Sequence, residues 1–477
     1  MSSAADVDMR PDVDRTWPAD NEPSPDVDLA VVRQLRKQLA DDLASRLHDT
    51  SVSDHAARRE LGRALLSGLM STASAERIQS GLPGWSVSEE YALAEAVMAA
   101  LFGFGRLQPL IDDPDVENIE VNGCNDVWLS YADGREERGP AVADTDAELV
   151  EVIQLLASHS GEAERTFTTA SPRLHMRLDD GSRLAAVAWT TPRPQVVIRR
   201  HRVKDVDLDD LVRMGSLDST LAAFLRAALR AGKNIVVTGL QNAGKTTLIR
   251  ALANEFHPME RFATVEREYE LHLHELPERH PRVVAMEARE GSGERDRVSG
   301  RLAGEVTLAE LVTDALRLNL RRIIVGEVRG SEVIPMLEAM STGDGSLCTV
   351  HARSAARAID RIVTLCLSAG IGMTDTFAYR LASGAIDIVV HISLVDESAV
   401  GGRKHRFVSE VLEIDGVGEF GRPTTTAVFL PGPDGRAVPA FAPNCLPALV
   451  RVGFDPGLLD HTRGTWRHPL PTLGATS

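Results

Sequence analysis

The sequence predicts an α/β protein whose second half carries a mostly parallel sheet, preceded by a smaller α+β region and a helical unit. In the second half, apolar strand-like runs alternate with helical stripes at the spacing of β-α-β units. Between residues 118 and 201 the pattern changes to short β-rich runs separated by turns. Before residue 102, leucines recur every three or four positions, as on one face of an α-helix.

Length and composition restrict the classes to which the protein can belong. Its 477 residues suffice for two or three domains, and 43% hydrophobic with 25% charged residues is an ordinary globular composition. Acidic residues outnumber basic ones by 69 to 52, a net charge of -17, so we expect no direct binding of nucleic acid. The four cysteines lie far apart without zinc-ligand spacing, which predicts a reduced compartment and no structural metal.

The N-terminus does not have the pattern of an export signal. Residues 1–28 are acidic and contain several prolines, which predicts a disordered tail. No apolar run approaches the ~18 residues of a membrane helix. We therefore expect a cytoplasmic protein that is peripheral at the inner face of the cell membrane and reaches it through partners.

Residues 29–101 are predicted to form a helical unit. Two apolar stripes define its first helices, and a third helix is predicted from Glu89 to Phe102. The stripes consist of Leu29, Val32, Leu35, Leu39, Leu43 and Leu47, and of Leu61, Leu65 and Leu69.

Residues 102–202 predict an α+β domain made of two hairpins and one helix. The charged, turn-rich residues 203–218 are typical of an interdomain linker. Residues 219–430 are then the predicted P-loop domain and residues 431–477 a C-terminal extension. Within the P-loop domain, a stretch rich in glycine, serine and charge between residues 289 and 304 predicts a mobile loop.

The most specific motif is a phosphate-binding loop. The run GLQNAGKTT fits G-x-x-x-x-G-K-[ST] and lies between a β-like run and a helical run, which is the context that the motif requires. In such loops backbone N–H groups surround a β-phosphate, the lysine reaches the β- and γ-phosphates, and the hydroxyl after it binds Mg²⁺. We therefore predict ATP and Mg²⁺ as ligands. The assigned residues are Gly239, Gln241, Asn242, Ala243, Gly244, Lys245, Thr246 and Thr247.

A candidate catalytic acid follows the P-loop in the sequence. The run RIIVGEVRG predicts a buried strand that ends in Glu327. A P-loop ATPase needs a carboxylate near the Mg²⁺ and the attacking water. The alternative is an ordinary strand-end glutamate, because charged residues are common at strand ends.

Together these motifs resemble a known family. The runs GLQNAGKTTL, TVEREYEL, RIIVGEVRG and STGDGSLCTVHARS are similar to those of the secretion-system traffic ATPases of the type II/IV superfamily, in particular the CpaF/TadA branch that powers Flp-type pilus assembly. The similarity covers roughly residues 101–411. It implies a homohexameric ring with an N-terminal PAS-like domain and a C-terminal RecA-like motor, bound to an inner-membrane platform protein.

The resemblance also implies roles for single residues. Its acidic box falls on residues 266–271, where Glu266 and Glu270 match the two glutamates, and Glu266 joins Thr246 as a predicted metal ligand. The family's catalytic glutamate matches Glu327. Its next arginine matches Arg329, and the histidine of its His box matches His351, for which a satisfied core histidine is the alternative.

The chain departs from the family pattern at two places. Arg267 stands where the family usually has aspartate, and the neighbouring Glu268 is a candidate replacement for that carboxylate. The segment at residues 342–346 is one residue shorter than the family's and lacks its first histidine. We therefore expect the metal and water network, and the coupling of nucleotide state to ring motion, to differ from the family.

Phosphoryl transfer also needs a cation against the γ-phosphate, and ring ATPases bring arginines from another domain or subunit. Arg177 and Arg183, which flank a DDGS turn, resemble such family arginines. Arg199 and Arg200 are poorer candidates. The alternative for each of them is a solvated charge on a hairpin.

The sequence thus favours an ATP-hydrolysing hexameric motor for Flp/Tad-type pilus assembly or a related type II/IV secretion system. Conjugative type IV secretion is the alternative within the motor class. A nucleotide-binding scaffold that does not hydrolyse ATP is the alternative from another class, and the two departures from the family pattern motivate it.

Overall fold

The computed structural model describes residues 28–49, 55–131, 135–159, 166–178, 181–200, 205–289, 291–295, 300–369 and 372–472. It divides into two compact units, Met1–Arg200 and His201–Ser477. The predicted disordered tail, apart from its last residue, lies outside the described residues.

The first unit begins with three helices, α1 (Leu29–Asp49), α2 (His55–Gln79) and α3 (Val87–Phe102). Their apolar stripes meet in a core that includes Leu35, Leu39 and Val97. The N-cap of α3 is Ser86, which exchanges side-chain and backbone hydrogen bonds with Glu89 in a capping box. The third helix is therefore confirmed and begins two residues before its predicted start.

The rest of the first unit is a six-stranded antiparallel sheet with the order β3-β2-β1-β6-β5-β4. Its strands are β1 (Val116–Asn122), β2 (Val127–Tyr131), β3 (Glu136–Arg138), β4 (Arg173–Arg177), β5 (Arg183–Val187) and β6 (Gln195–Arg199). One face packs with residues of helices α4 (Gln108–Asp112) and α5 (Asp146–His159) in a common apolar core. Side chains alternate along each strand, so Leu184 and Ile198 point into this core while their neighbours lie on the outer face.

The second unit is built on a nine-stranded sheet with the order β17-β16-β15-β14-β7-β13-β12-β8-β9. Its strands are β7 (Ile235–Gly239), β8 (Phe262–Glu266), β9 (Val284–Glu287), β12 (Arg322–Val325), β13 (Leu347–His351), β14 (Ile388–Asp396), β15 (Lys404–Val417), β16 (Pro423–Pro431) and β17 (Ala437–Pro439). Neighbours from β14 to β9 pair in parallel, and β15 to β17 continue the sheet antiparallel. The predicted α/β class with a mostly parallel RecA-like sheet is therefore confirmed.

Helices cover both faces of this sheet. They are α6 (Leu208–Arg213), α7 (Ser219–Arg230), α8 (Lys245–Ala253), α9 (Leu308–Ala315), α10 (Val333–Thr342), α11 (Ala355–Ser368), α12 (Asp375–Ala385) and α13 (Leu446–Arg451). The central strand β7 is therefore buried on both faces. Ile235 and Val237 belong to the apolar cluster on one face of the sheet, and Val236 belongs to the apolar cluster on the other face. A strand buried on both faces reads as a continuous apolar run. Among the described residues, no helix is long and apolar enough to cross a membrane.

Three segments differ from their description in the sequence analysis. In the stretch assigned to a linker, Val206, Leu208 and Leu217 are buried in the core of the second unit, because apolar residues recur between its charges. The C-terminal segment adds β17 to the sheet and α13 to the same core. The region predicted as a mobile loop contains a two-stranded hairpin, β10 (Ser292–Arg295) and β11 (Leu302–Ala303).

Candidate nucleotide-binding site

The P-loop connects the central strand β7 to helix α8, as its sequence context predicts. At Gly239 a Cβ atom would lie 2.4 Å from the carbonyl oxygen of Ile392, so only glycine fits there. Asn242 and Gly244 have left-handed φ angles of 60° and 98°, which turn the chain sharply before the helix. The N-cap of α8 is Gly244, which offers no side-chain oxygen to the first turn. The uncapped positive end of the helix fits an anionic phosphate.

Lys245 lies buried beneath this loop. Its Nζ atom donates to the carbonyl oxygens of Gly239 at 3.2 Å and Leu240 at 2.8 Å, and it lies 3.2 Å from Nδ1 of His351. An ammonium group has three N–H donors and no acceptor, so Nδ1 of His351 must accept. The three contacts engage all three donors, and a phosphate that binds Lys245 must therefore replace at least one of them.

His351 connects the P-loop to the strand-end glutamate. Its Nε2 atom lies 2.7 Å from Oε1 of Glu327, within ion-pair distance. The second carboxylate oxygen of Glu327 lies 2.6 Å from Nη2 of Arg329. Lys245, His351, Glu327 and Arg329 thus form one continuous set of contacts, which we call the polar chain. The structure brings together these four residues, which the sequence analysis had assigned to the site separately.

The pKa of Glu327 reflects this environment. Burial alone would raise its pKa, but the close contacts with His351 and Arg329 outweigh burial and lower the pKa to about 2. The same contact with Glu327 raises the pKa of Arg329, and the carboxylates of Glu270 and Glu268 add to that rise. Glu327 is therefore ionised at neutral pH, and Glu268 contributes negative charge to the same site.

The acidic box places its two glutamates in different roles. Buried Glu266, at the end of β8, accepts the backbone N–H groups of Glu270 and Leu271 on Oε1, at 2.9 and 2.8 Å. This bond pair fixes the turn that carries Glu270. The hydroxyl of Thr246 then donates to Oε2 of Glu270 at 3.3 Å. The residue next to Thr246 in this structure is therefore Glu270, whereas the sequence analysis paired Thr246 with Glu266.

These residues fit Mg²⁺ bound together with phosphate rather than by protein alone. Among the described residues, no group of three or more histidine, cysteine or acidic side chains could hold a metal ion. Mg²⁺ in ATPases keeps several waters and is held by one or two protein oxygens plus phosphate oxygens. The hydroxyl of Thr246 with the carboxylate of Glu270, fixed by Glu266, is a donor set of this kind.

Arg177 and Arg183 lie in the first unit, on the outer face of its sheet. Strand register places Arg183 opposite Arg177 on one side and opposite Arg199 on the other. We call these three residues the arginine row. The sequence analysis had rated Arg199 and Arg200 alike, but Arg200 donates to backbone carbonyls of Asp113 and Val116. Successive side chains of a strand point to opposite faces of the sheet, so buried Ile198 indicates that Arg199 points to the outer face. This alternation distinguishes Arg199 from Arg200.

Like charges directly opposite each other destabilise a sheet, and opposite charges there stabilise it by roughly 0.2–1 kcal/mol per pair. Strand register places three arginine side chains next to one another on one face of this sheet. Register thus adds Arg199 to the residues considered with Arg177 and Arg183.

The chain is similar to known secretion-system proteins over about two thirds of its length. A family model described as "Type II/IV secretion system protein" matches residues 103–418. A protein of Mycobacterium tuberculosis (strain H37Rv) that is named for conjugal transfer is 31% identical over 316 residues, which are 64% of this chain and 84% of that protein. The type IV secretion system protein PtlH of Bordetella pertussis is 27% identical over 347 residues, 66% of this chain and 95% of that protein. The solved VirB11 ATPase of the Brucella suis type IV secretion system is 26% identical in sequence. The match covers 66% of this chain and 95% of that one, and its TM-score is 0.33.

Proposed function

Because the chain belongs to the type II/IV secretion system protein family and is a P-loop ATPase, we propose that it is the motor of a type IV secretion apparatus. The observation that carries this proposal is the polar chain, which runs from the P-loop lysine to an ionised strand-end glutamate. The names of the relatives, conjugal transfer protein and PtlH, support the type IV assignment over Flp/Tad pilus assembly, which the sequence analysis had placed first.

Lys245 and the first turn of α8 bind the phosphates of ATP in this proposal. When bound, Mg²⁺ supplies positive charge against the β- and γ-phosphate oxygens, and Thr246 with Glu270 holds it. Because all three donors of Lys245 are engaged, ATP binding exchanges at least one of them for phosphate. The contact with His351 is among the two longest, at 3.2 Å, and is not made to the loop itself. We propose that this contact is exchanged first.

Glu327 is the proposed base that accepts a proton from the attacking water. A carboxylate with a pKa near 2 is a weak base, because His351 and Arg329 each lie against one of its oxygens. We propose that His351 also turns away from Glu327 once phosphate has replaced it at Lys245, which removes one of these contacts and makes Glu327 more basic. Base strength would then increase only when ATP is present.

The arginine row supplies the remaining positive charge. We propose that Arg177, Arg183 and Arg199 approach the γ-phosphate when subunits assemble into a homohexamer, since a positive row and an anionic phosphate are complementary. Turnover would then depend on assembly. The net charge of -17 is the reason to propose that the motor acts on the apparatus, through an inner-membrane platform protein, without direct contact with nucleic acid. We propose that it works at the cytoplasmic face of the membrane.

Deletion of the gene in its host, with complementation by the unmodified chain or by Glu327→Gln, tests this function. We expect the deletion to abolish transfer of a conjugative plasmid or export of a secreted protein, with rescue only by the unmodified chain. Loss of surface pili with normal transfer would favour the pilus assignment. Rescue by Glu327→Gln equal to that by the unmodified chain would favour the non-hydrolysing scaffold.

A further inference from the structure

The hairpin formed by β14 and β15 lies against the P-loop. Ile392 of β14 is in register with Gly239 at the start of the loop. A Cβ atom built on Gly244, at the end of the loop, would lie 3.4 Å from Cδ1 of Ile392 and 3.6 Å from Cδ of Arg406, on β15. Both glycines of the loop therefore face this hairpin, and the stem of Arg406 lies beside the residue that precedes Lys245.

Arg406 holds the loop by a direct hydrogen bond. Its Nε atom donates to the carbonyl oxygen of Asn242 at 2.9 Å, across 164 residues of sequence. Asn242 has a φ angle of 60°, a left-handed conformation that costs roughly 1–2 kcal/mol in a non-glycine residue. A bond to its carbonyl offsets part of that cost and fixes the direction of this peptide group.

The guanidinium of Arg406 has capacity for a further ligand. It carries five N–H donors in a planar fork, of which the bond to Asn242 uses one. Within the described part of the chain, no carboxylate forms an ion pair with Arg406. A partly exposed guanidinium beside a phosphate-binding loop matches the geometry and charge of phosphate oxygens, which arginine binds in a bidentate manner.

We propose that Arg406 is a further residue of the nucleotide site. It braces the P-loop through the carbonyl of Asn242, and it offers its remaining N–H groups to the phosphates of a bound nucleoside polyphosphate. This inference rests on the proposed function, because it names a second cation, carried by the hairpin, for the same site.

The test measures binding of a fluorescent ADP analogue to the full-length chain. Arg406→Gln removes the charge, Arg406→Lys keeps the charge but loses the fork, and Arg403→Gln is the matched control. Arg403 is an exposed arginine of the same hairpin whose backbone carbonyl accepts from Glu397. We expect at least about a tenfold weaker affinity for Arg406→Gln, equivalent to ~1.4 kcal/mol, a smaller loss for Arg406→Lys, and no change for Arg403→Gln.

Salt dependence separates a phosphate contact from a purely structural brace. Raising NaCl from about 0.05 M to about 0.5 M shortens the screening length, so the affinity gap between the unmodified chain and Arg406→Gln should narrow. Affinity of Arg406→Gln within twofold of the unmodified chain would overturn the inference, as would a gap that is the same at every salt concentration. If Arg406→Gln does not fold, Arg406→Met, which also removes the charge, decides by the same two criteria. Failure of the unmodified chain to bind ADP would overturn the proposed function and this inference with it.

Discussion

The polar chain of the second unit and the arginine row of the first unit differ in how their charges are arranged. In the polar chain, positive Lys245 and Arg329 lie at the ends, with His351 and ionised Glu327 between them. In the arginine row, strand register sets positive charges directly opposite each other. The first arrangement compensates itself and can be stable alone. In the second arrangement, like charges lie next to one another, and we propose that the row supplies positive charge to a bound phosphate.

Lys245→Ala is expected to give the largest effect of the changes to the polar chain. Loss of the ammonium removes both phosphate positioning and charge neutralisation, so ATP turnover should fall by at least about a thousandfold, ~4 kcal/mol. Phosphate release by the purified full-length chain measures this, with exposed Lys37→Ala as the matched control. Turnover within about tenfold of the unmodified chain would refute the P-loop assignment.

Glu327→Gln should keep nucleotide affinity while turnover falls about a hundredfold or more, because an amide preserves the shape of the side chain but cannot accept a proton. Equilibrium binding of labelled ADP and phosphate release, measured on the same preparation, separate the two quantities. The exposed Glu338→Gln on α10 serves as control. If binding is lost along with turnover, Glu327 is a structural residue of the site and not its base.

Arg183→Gln tests the arginine row, and Arg200→Gln is its control. Arg183 is the middle residue of the row, so we expect turnover of the assembled protein, per folded molecule, to fall about tenfold. Arg200→Gln should lower the melting temperature, since it removes donors to two backbone carbonyls, and leave turnover per folded molecule unchanged. The reverse pattern would remove the row from the site.

The smallest expected effect is on stability in acid. Because contacts in the folded chain lower the pKa of Glu327 to about 2, its ionised form stabilises the fold above its ordinary pKa near 4.5. This contribution is lost as the pH falls from about 4.5 towards 2. Melting temperatures of the unmodified chain should therefore decline more steeply between pH 5 and pH 3 than those of Glu327→Gln, by a few degrees. Parallel declines would mean that the polar chain contributes no such stability.

Local sequence patterns were sufficient for much of the fold and for the residues of the polar chain. The P-loop lies between a strand and a helix because an apolar β-branched run precedes it and a helical run follows it, and both signals are local. The strand that ends before Glu327 was likewise predicted from a local apolar run. Contacts between these elements are not local, so the link from Lys245 through His351 to Glu327 appears only when parallel strands bring their carboxyl ends to one edge.

Other features depended on register or on distant packing. Arg199 is the last residue of β6 and Arg200 follows it, so the two side chains point to opposite faces of the sheet. The strand must be located before these faces can be assigned. The contact of Arg406 with Asn242 joins residues 164 positions apart, with no local signal at either end. The segment before α7 was predicted to be a linker because it is rich in charged residues. Its apolar residues, such as Leu208 and Leu217, pack into the core all the same.

We propose above all that ATP turnover at the polar chain depends on assembly, with the arginine row supplying positive charge to the γ-phosphate. The most direct measurement is specific phosphate release by the full-length protein over concentrations from below to above assembly, which sedimentation defines independently. We expect low specific activity for the monomer and a rise that follows the assembled fraction, with Glu327→Gln near the baseline throughout. Specific activity that stays constant while the protein assembles would contradict this proposal.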